Sequence, residues 1–138
     1  MKRVTGIGGI FLKCNDPKSL RAWYQKHLGL NTDKYGTSFE WRRADIPDRK
    51  GFTVWSTFPK DTKYFQPSER EFMINFRVED LEQLLDELKA KGIHIVGEIE
   101  KFEYGKFAHI MDPEGTKIEL WEPNDVEYDK MIGKDRTY

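Results

Sequence analysis

The chain overlays itself at an offset of 64 residues. Gly51 to Pro59 then lies over Gly115 to Pro123, and Ile10 falls on Ile74, Asp16 on Asp80, Leu20 on Leu84, Ala44 on Ala108, Ile46 on Ile110 and Asp48 on Asp112. These matches fall at turns, helix starts and core positions, where a shared backbone would leave them. The repeat predicts two related modules, 5–65 and 69–128, in one domain spanning 1–138 with a C-terminal tail at 125–138. A module of about sixty residues buries too little apolar surface to stand alone, so the two must share a sheet or core.

The best-specified stretch runs from His109 to Pro123. Asp112, Pro113 and Gly115 stand where a type I turn closed by a left-handed glycine wants them. Such a turn pairs Asp112 with Thr116 and sets His109 opposite Glu119, Met111 opposite Lys117 and Phe107 opposite Trp121. One face of the hairpin is then mixed, with Phe107, His109, Met111, Lys117, Glu119 and Trp121. The other, with Ala108, Ile110, Ile118 and Leu120, is apolar and suits a covering of helices.

Each module reads the same way along the chain. Ile7 to Cys14 and Glu71 to Val78 alternate as strands. Asp16 followed by Pro17, and Asp80, begin helices. Leu20, Trp23, Tyr24, His27 and Leu28 form the predicted buried stripe of the first helix, and Leu81, Leu84, Leu85 and Leu88 that of the second. Gly29 and Gly92 end them. Three strands follow in each module, at 31–35, 37–44 and 52–58, and at 93–98, 99–103 and 106–111, the last leading into the hairpin. Pro59 to Ser68 reads as an inter-module linker. Asp125 to Tyr138 reads as a polar tail, wrapped over the surface or a second copy, or partly disordered.

Twenty-three basic against 24 acidic side chains give no basic stripe for nucleic acid or for an anionic membrane. Apolar runs are short and the N-terminus lacks a signal-peptide core, so a soluble, cytoplasmic chain is expected. The single cysteine, Cys14, excludes an internal disulfide and a cysteine-based zinc site, and its neighbours suggest a small core residue.

With an Asp at each helix start and Ile118-Glu119-Leu120 following Asp112 to Gly115, the two β-α-β-β-β modules resemble the vicinal oxygen chelate superfamily. Its members include glyoxalase I, fosfomycin-resistance proteins, extradiol dioxygenases and bleomycin-resistance proteins. Gly9 to Pro17 and Asn75 to Leu81 support the resemblance, which covers about 5–123. It implies an α+β fold in which tandem modules form a curved half-barrel sheet, helices cover the convex side and a ligand sits on the concave side. Metal-dependent members place ligands at positions that correspond here to Gly9, Trp55, Met73 and Glu119, and only Glu119 is a metal donor. A catalytic ion needs about three protein ligands, so no metal and no cofactor is expected.

Strand alternation sends Phe11, Lys13, Thr53, Trp55, Thr57, Met73, Asn75, Arg77, Phe107, His109, Lys117, Glu119 and Trp121 away from the helices. Of these, Trp55, Met73, Asn75, Arg77, Phe11, Phe107 and Trp121 make a candidate small-molecule lining, mostly apolar with a few polar handles. Glu119 and His109 form a candidate acid and base. Two readings follow: a metal-free homodimeric protein that sequesters an aromatic or cationic small molecule, or a glyoxalase- or dioxygenase-like enzyme, metal-dependent or working through His109 and Glu119.

Overall fold

The computed structural model describes residues 3–138; the first two residues of the expected 1–138 domain lie outside the described residues. The element order is β1 (Val4–Cys14), α1 (Pro17–Leu28), β2 (Gly36–Arg42), β3 (Lys50–Pro59), β4 (Phe72–Val78), α2 (Leu81–Ala90), β5 (Ile95–Phe102), β6 (Gly105–Met111), β7 (Lys117–Pro123), α3 (Asp125–Ile132) and β8 (Arg136–Thr137). All eight strands join one curved sheet in the order β5-β6-β7-β4-β1-β3-β2-β8.

The two modules meet where β1 and β4 run antiparallel, with Ile10 opposite Ile74. Each central strand then takes the last strand of its own module as a parallel neighbour: β3 beside β1 and β7 beside β4. The repeat is thus a local two-fold relation about the Ile10–Ile74 pair. Both predicted helix caps are present, with Asp16 accepting from the Ser19 amide and Asp80 from the Gln83 amide. The hairpin register is the expected one, and Asp112 Oδ1 accepts from the amides of Glu114 and Thr116 inside the turn. Gly115 sits there at φ +81°, a conformation side-chain-bearing residues rarely adopt.

Four local expectations need correction. Neither 31–35 nor a separate 99–103 strand forms: 29–35 is irregular, and 95–102 is one strand with a register shift where β5 meets β6. Helix α1 buries no residue, and Trp23 and Leu28 are more than half exposed, so its predicted stripe packs only loosely. By contrast, Leu81, Leu84 and Leu85 of α2 are buried against Val78, Ala108 and Leu120. The polar tail is ordered: Asn124 caps α3 by accepting from the Glu127 amide, and β8 adds beside β2. Arg136 holds it there, paired with Glu40 at 2.7 Å and with Asp129 at 2.8 Å.

The repeat also slips by one residue within module one. Ile10 lies beside Trp55, whereas its counterpart Ile74 lies beside Ile118, so the last strands match at 63 rather than 64. A slip of one reverses every side chain on a strand. Trp55 therefore faces the helices and packs on Tyr24 of α1, its ring centroid 4.5 Å away. Thr57 faces the same way and accepts from Arg21 of α1. Phe52, Val54, Ser56 and Phe58 take the concave side instead.

Candidate functional site

Glu119 stands at the middle of the concave face, on β7 beside Asn75 of β4 and opposite His109 of β6. It is 3% exposed, and its carboxylate is surrounded by donors. Asn75 Nδ2 donates to Oε1 at 2.7 Å. His109 Nε2 lies 2.8 Å from Oε2, and the Tyr64 hydroxyl donates to that same oxygen. Since Oε2 accepts from the phenol, His109 serves it best as the Nε2–H tautomer or as imidazolium. The amide of Asn75 is oriented by the same logic, because turning it over would set its oxygen against the carboxylate. Its Oδ1 consequently has no hydrogen-bond partner among the described residues. That oxygen packs over Gly8, where a Cβ would come within 2.2 Å of it, so only glycine lets β1 approach this closely.

Tyr64 was not foreseen. It comes from the segment between β3 and β4, which is a strap across the concave face rather than a solvated linker. Phe65, fully buried, anchors the strap against Phe11 and Met73. Lys117 Nζ donates to the Tyr64 carbonyl at 2.7 Å, and Lys13 Nζ lies 5.3 Å from the Phe65 ring centroid. Burial, with the Glu119 charge next, pushes the Tyr64 phenol well above its ordinary range. Burial also pulls the Lys117 ammonium down, with Glu119 and Glu100 opposing that. The available signal was an aromatic pair, Tyr64-Phe65, within an otherwise polar stretch.

The expected residues divide into four groups. Asn75, His109 and Glu119 converge on one hydrogen-bonded cluster. Phe11, Met73, Phe107 and Trp121 face the concave side as expected, but Phe11, Met73 and Trp121 are packed against protein, and Phe107 is the one left partly open. Trp121 stacks on Phe107 at 5.5 Å and touches Phe52 and Tyr128, the latter reaching in from α3. Arg77 is committed elsewhere: its guanidinium lies between the Trp41 and Trp121 rings, at 5.1 and 5.3 Å, and makes a two-pronged pair with Asp125. That placement takes Arg77 out of the polar handles expected in the lining. Trp55, facing α1, is corrected out of the lining altogether.

The open part of the concave face is a mouth of half-buried aromatic side chains around Glu119. Phe58 and Tyr64 stack on one side, while Tyr104 and Phe107 pack edge to face on the other. Burial raises the Tyr104 phenol, and the charges of Glu119 and Glu100, with Tyr35, add to it. A separate groove of about 670 Å³ runs between β1 and α1, with Lys13, Leu20, Trp23 and Lys60 on its walls. It lies outside the Glu119 cluster.

The metal positions of the resemblance do not fit an ion. Gly9 and Met73 offer no suitable donor, and Ser56, which takes the concave place expected for Trp55, donates its hydroxyl to the Tyr35 carbonyl. Among the described residues no three His, Cys, Asp or Glu side chains gather as a ligand set. Nor is any described helix long and apolar enough to cross a membrane.

Comparison with known proteins agrees with this architecture. The sequence profile of the Glyoxalase/Bleomycin resistance protein/Dioxygenase superfamily matches residues 6–120, and the chain belongs to that superfamily. Among solved structures it is similar to methylmalonyl-CoA epimerase from Mycobacterium tuberculosis, at 20% identity and TM-score 0.54, covering 91% of this chain and 93% of that one. A Streptomyces coelicolor methylmalonyl-CoA epimerase variant in complex with 2-nitronate-propionyl-CoA is 16% identical with TM-score 0.63, covering 89% and 97%. A Legionella pneumophila protein described as an NAD-dependent benzaldehyde dehydrogenase gives 11% identity and TM-score 0.53, covering 84% and 98%. At these identities the likeness is one of fold. No protein of curated function matches the chain in sequence.

Proposed function

We propose that this protein is a metal-free, cytoplasmic, homodimeric binding protein of the glyoxalase and bleomycin-resistance type, which holds an aromatic or cationic small molecule at the concave mouth around Glu119. The observation that carries the reading is a buried carboxylate with three donors, set in a ring of aromatic side chains. A mostly apolar recess with one convergent polar cluster is the usual form of a small-molecule site. The donor set favours binding without an ion, because Glu119 is already satisfied by Asn75, His109 and Tyr64.

A second reading, acid–base catalysis without a metal, is favoured by one observation: two proton carriers, His109 and Tyr64, meet a single carboxylate oxygen. Its reach is limited by the asymmetry of the modules. Inverting a carbon centre requires a proton removed from one face and returned to the other, as the epimerase neighbours' name implies for them. The module-one counterpart of Glu119 is Ser56, whose hydroxyl is bound to a carbonyl. That contrast ranks binding above epimerisation here.

A thermal-shift screen of chelator-treated protein against small aromatic, cationic and thioester metabolites tests the proposal. A selective ligand should raise the melting temperature by mass action, with the response intact in chelator. Stabilisation that vanishes with chelator and returns on adding a divalent ion would overturn the metal-free reading. Light scattering should give a mass near twice 16.4 kDa.

A further inference from the structure

Tyr64 occupies the concave mouth as a ligand would. Its hydroxyl donates to Glu119 Oε2. Its ring lies parallel to Phe58, 5.6 Å between centroids and 3° from coplanar, and meets His109 edge-on at 5.4 Å. Lys117 Nζ stands 5.4 Å from its ring centroid. Yet Tyr64 belongs to no strand or helix and is 39% exposed, whereas the next residue, Phe65, is fully buried and holds the strap. The anchor and the plug are thus different residues, and the plug can leave while the anchor stays.

Resting on the binding reading above, we infer that the site recognises a phenolic ring, an aromatic ring carrying one hydroxyl donor, and that Tyr64 is a built-in stand-in which such a ligand displaces. The environment sorts the alternatives. A carboxylate or phosphate ligand would meet Glu119 as a like charge. A plain hydrocarbon would leave a buried carboxylate oxygen with one donor fewer, a loss the phenol avoids. A cationic amine would satisfy Glu119 but would replace the ring that faces the Lys117 ammonium with a second positive charge. A phenol satisfies both neighbours at once, as Tyr64 does.

The experiment removes the stand-in. Tyr64→Ala opens a space the size of phenol, and calorimetric titration with phenol should then show one-to-one binding, about tenfold or more tighter than with benzene or anisole, which lack the donor. Wild-type protein, with its own ring in place, should bind phenol at least about tenfold more weakly than the variant. Phenol binding in a folded variant no tighter than benzene or anisole would overturn the inference. If Tyr64→Ala does not fold by itself, phenol but not benzene should restore its fold during refolding, and failure of that rescue overturns the inference equally. Selective binding of a non-phenolic aromatic or a cation by wild-type protein, together with no phenol preference in the variant, would remove this inference and leave the broader binding function standing.

Discussion

The behaviour of Glu119 depends on what surrounds it more than on its charge. A buried carboxylate is tolerated only when its oxygens are satisfied, and removing a charged hydrogen-bond acceptor typically costs about 1.5 to 3 kcal/mol. Glu119→Gln should therefore lower stability by an amount in that range in denaturant unfolding and weaken binding of any ligand the screen finds. Unchanged affinity would take Glu119 out of the site. Tyr64 makes a pH prediction with a definite sign. Its phenol is raised, by burial first and Glu119 second, so the folded state keeps a proton that the unfolded chain gives up near pH 10. The stability this contributes is intact below about pH 10 and is lost as pH rises above it. Wild-type protein should lose stability more steeply between pH 9.5 and 11 than Tyr64→Phe, which cannot ionise; parallel curves would show that the phenol is not held. Trp55 carries the lesson of the one-residue slip. Since it packs on Tyr24, Trp55→Ala should cost about 2 kcal/mol, below the 3 to 5 of a fully buried tryptophan, and leave ligand affinity unchanged.

Among the elements, the hairpin and α2 were legible because their signals are local: turn residues fix the register of β6 and β7, and a leucine stripe at helical spacing fixes the face of α2. The strap and α3 were not. Both lie in polar stretches whose structure is imposed by distant partners, Phe65 by Phe11 and Met73, and Arg136 by Glu40 and Asp129. Signals did exist, in the Tyr64-Phe65 pair and in Asn124 with Glu127 three residues on, the spacing of a capping motif. Helix α3 closes one end of the concave face by two devices, the Tyr128 ring against Phe52 and Trp121, and Asp125 against Arg77. Arg77 is 3% exposed, so Asp125→Ala would leave a buried guanidinium without its counter-charge. A loss of about 3 to 5 kcal/mol is expected, larger than that from removing the exposed helix cap at Asp16. Equal effects in the two unfolding curves would show that the pair does not hold the helix.

For the whole molecule, the 64-residue offset holds on the central strands and slips to 63 on the last strand of module one. Asp16 and Asp80, and Ile10 and Ile74, obey the 64-residue offset because they sit at helix starts and on the central strands where the modules join. Past the helices the modules diverge: module one lacks a strand and its last strand is shifted by one. Ala44, expected over Ala108, accordingly falls in a loop after β2. Spacing alone could not reveal this, since an offset that matches two glycines, Gly51 in a strand and Gly115 in a turn, matches residue types and not backbones. Half of the concave face carries the Glu119 cluster, while the related half carries Ser56 and Phe58.

Ring-selective NMR with labelled tyrosines, during titration of chelator-treated protein with whichever ligand stabilises it, bears most directly on where binding occurs. Tyr64 and Tyr104 stand at the concave mouth, while Tyr24 lies on the helix side beside the groove at α1. The resonances of Tyr64 and Tyr104 should shift with the ligand and that of Tyr24 should not. Movement of Tyr24 with Tyr64 and Tyr104 unperturbed would place the ligand in the other groove and contradict the account.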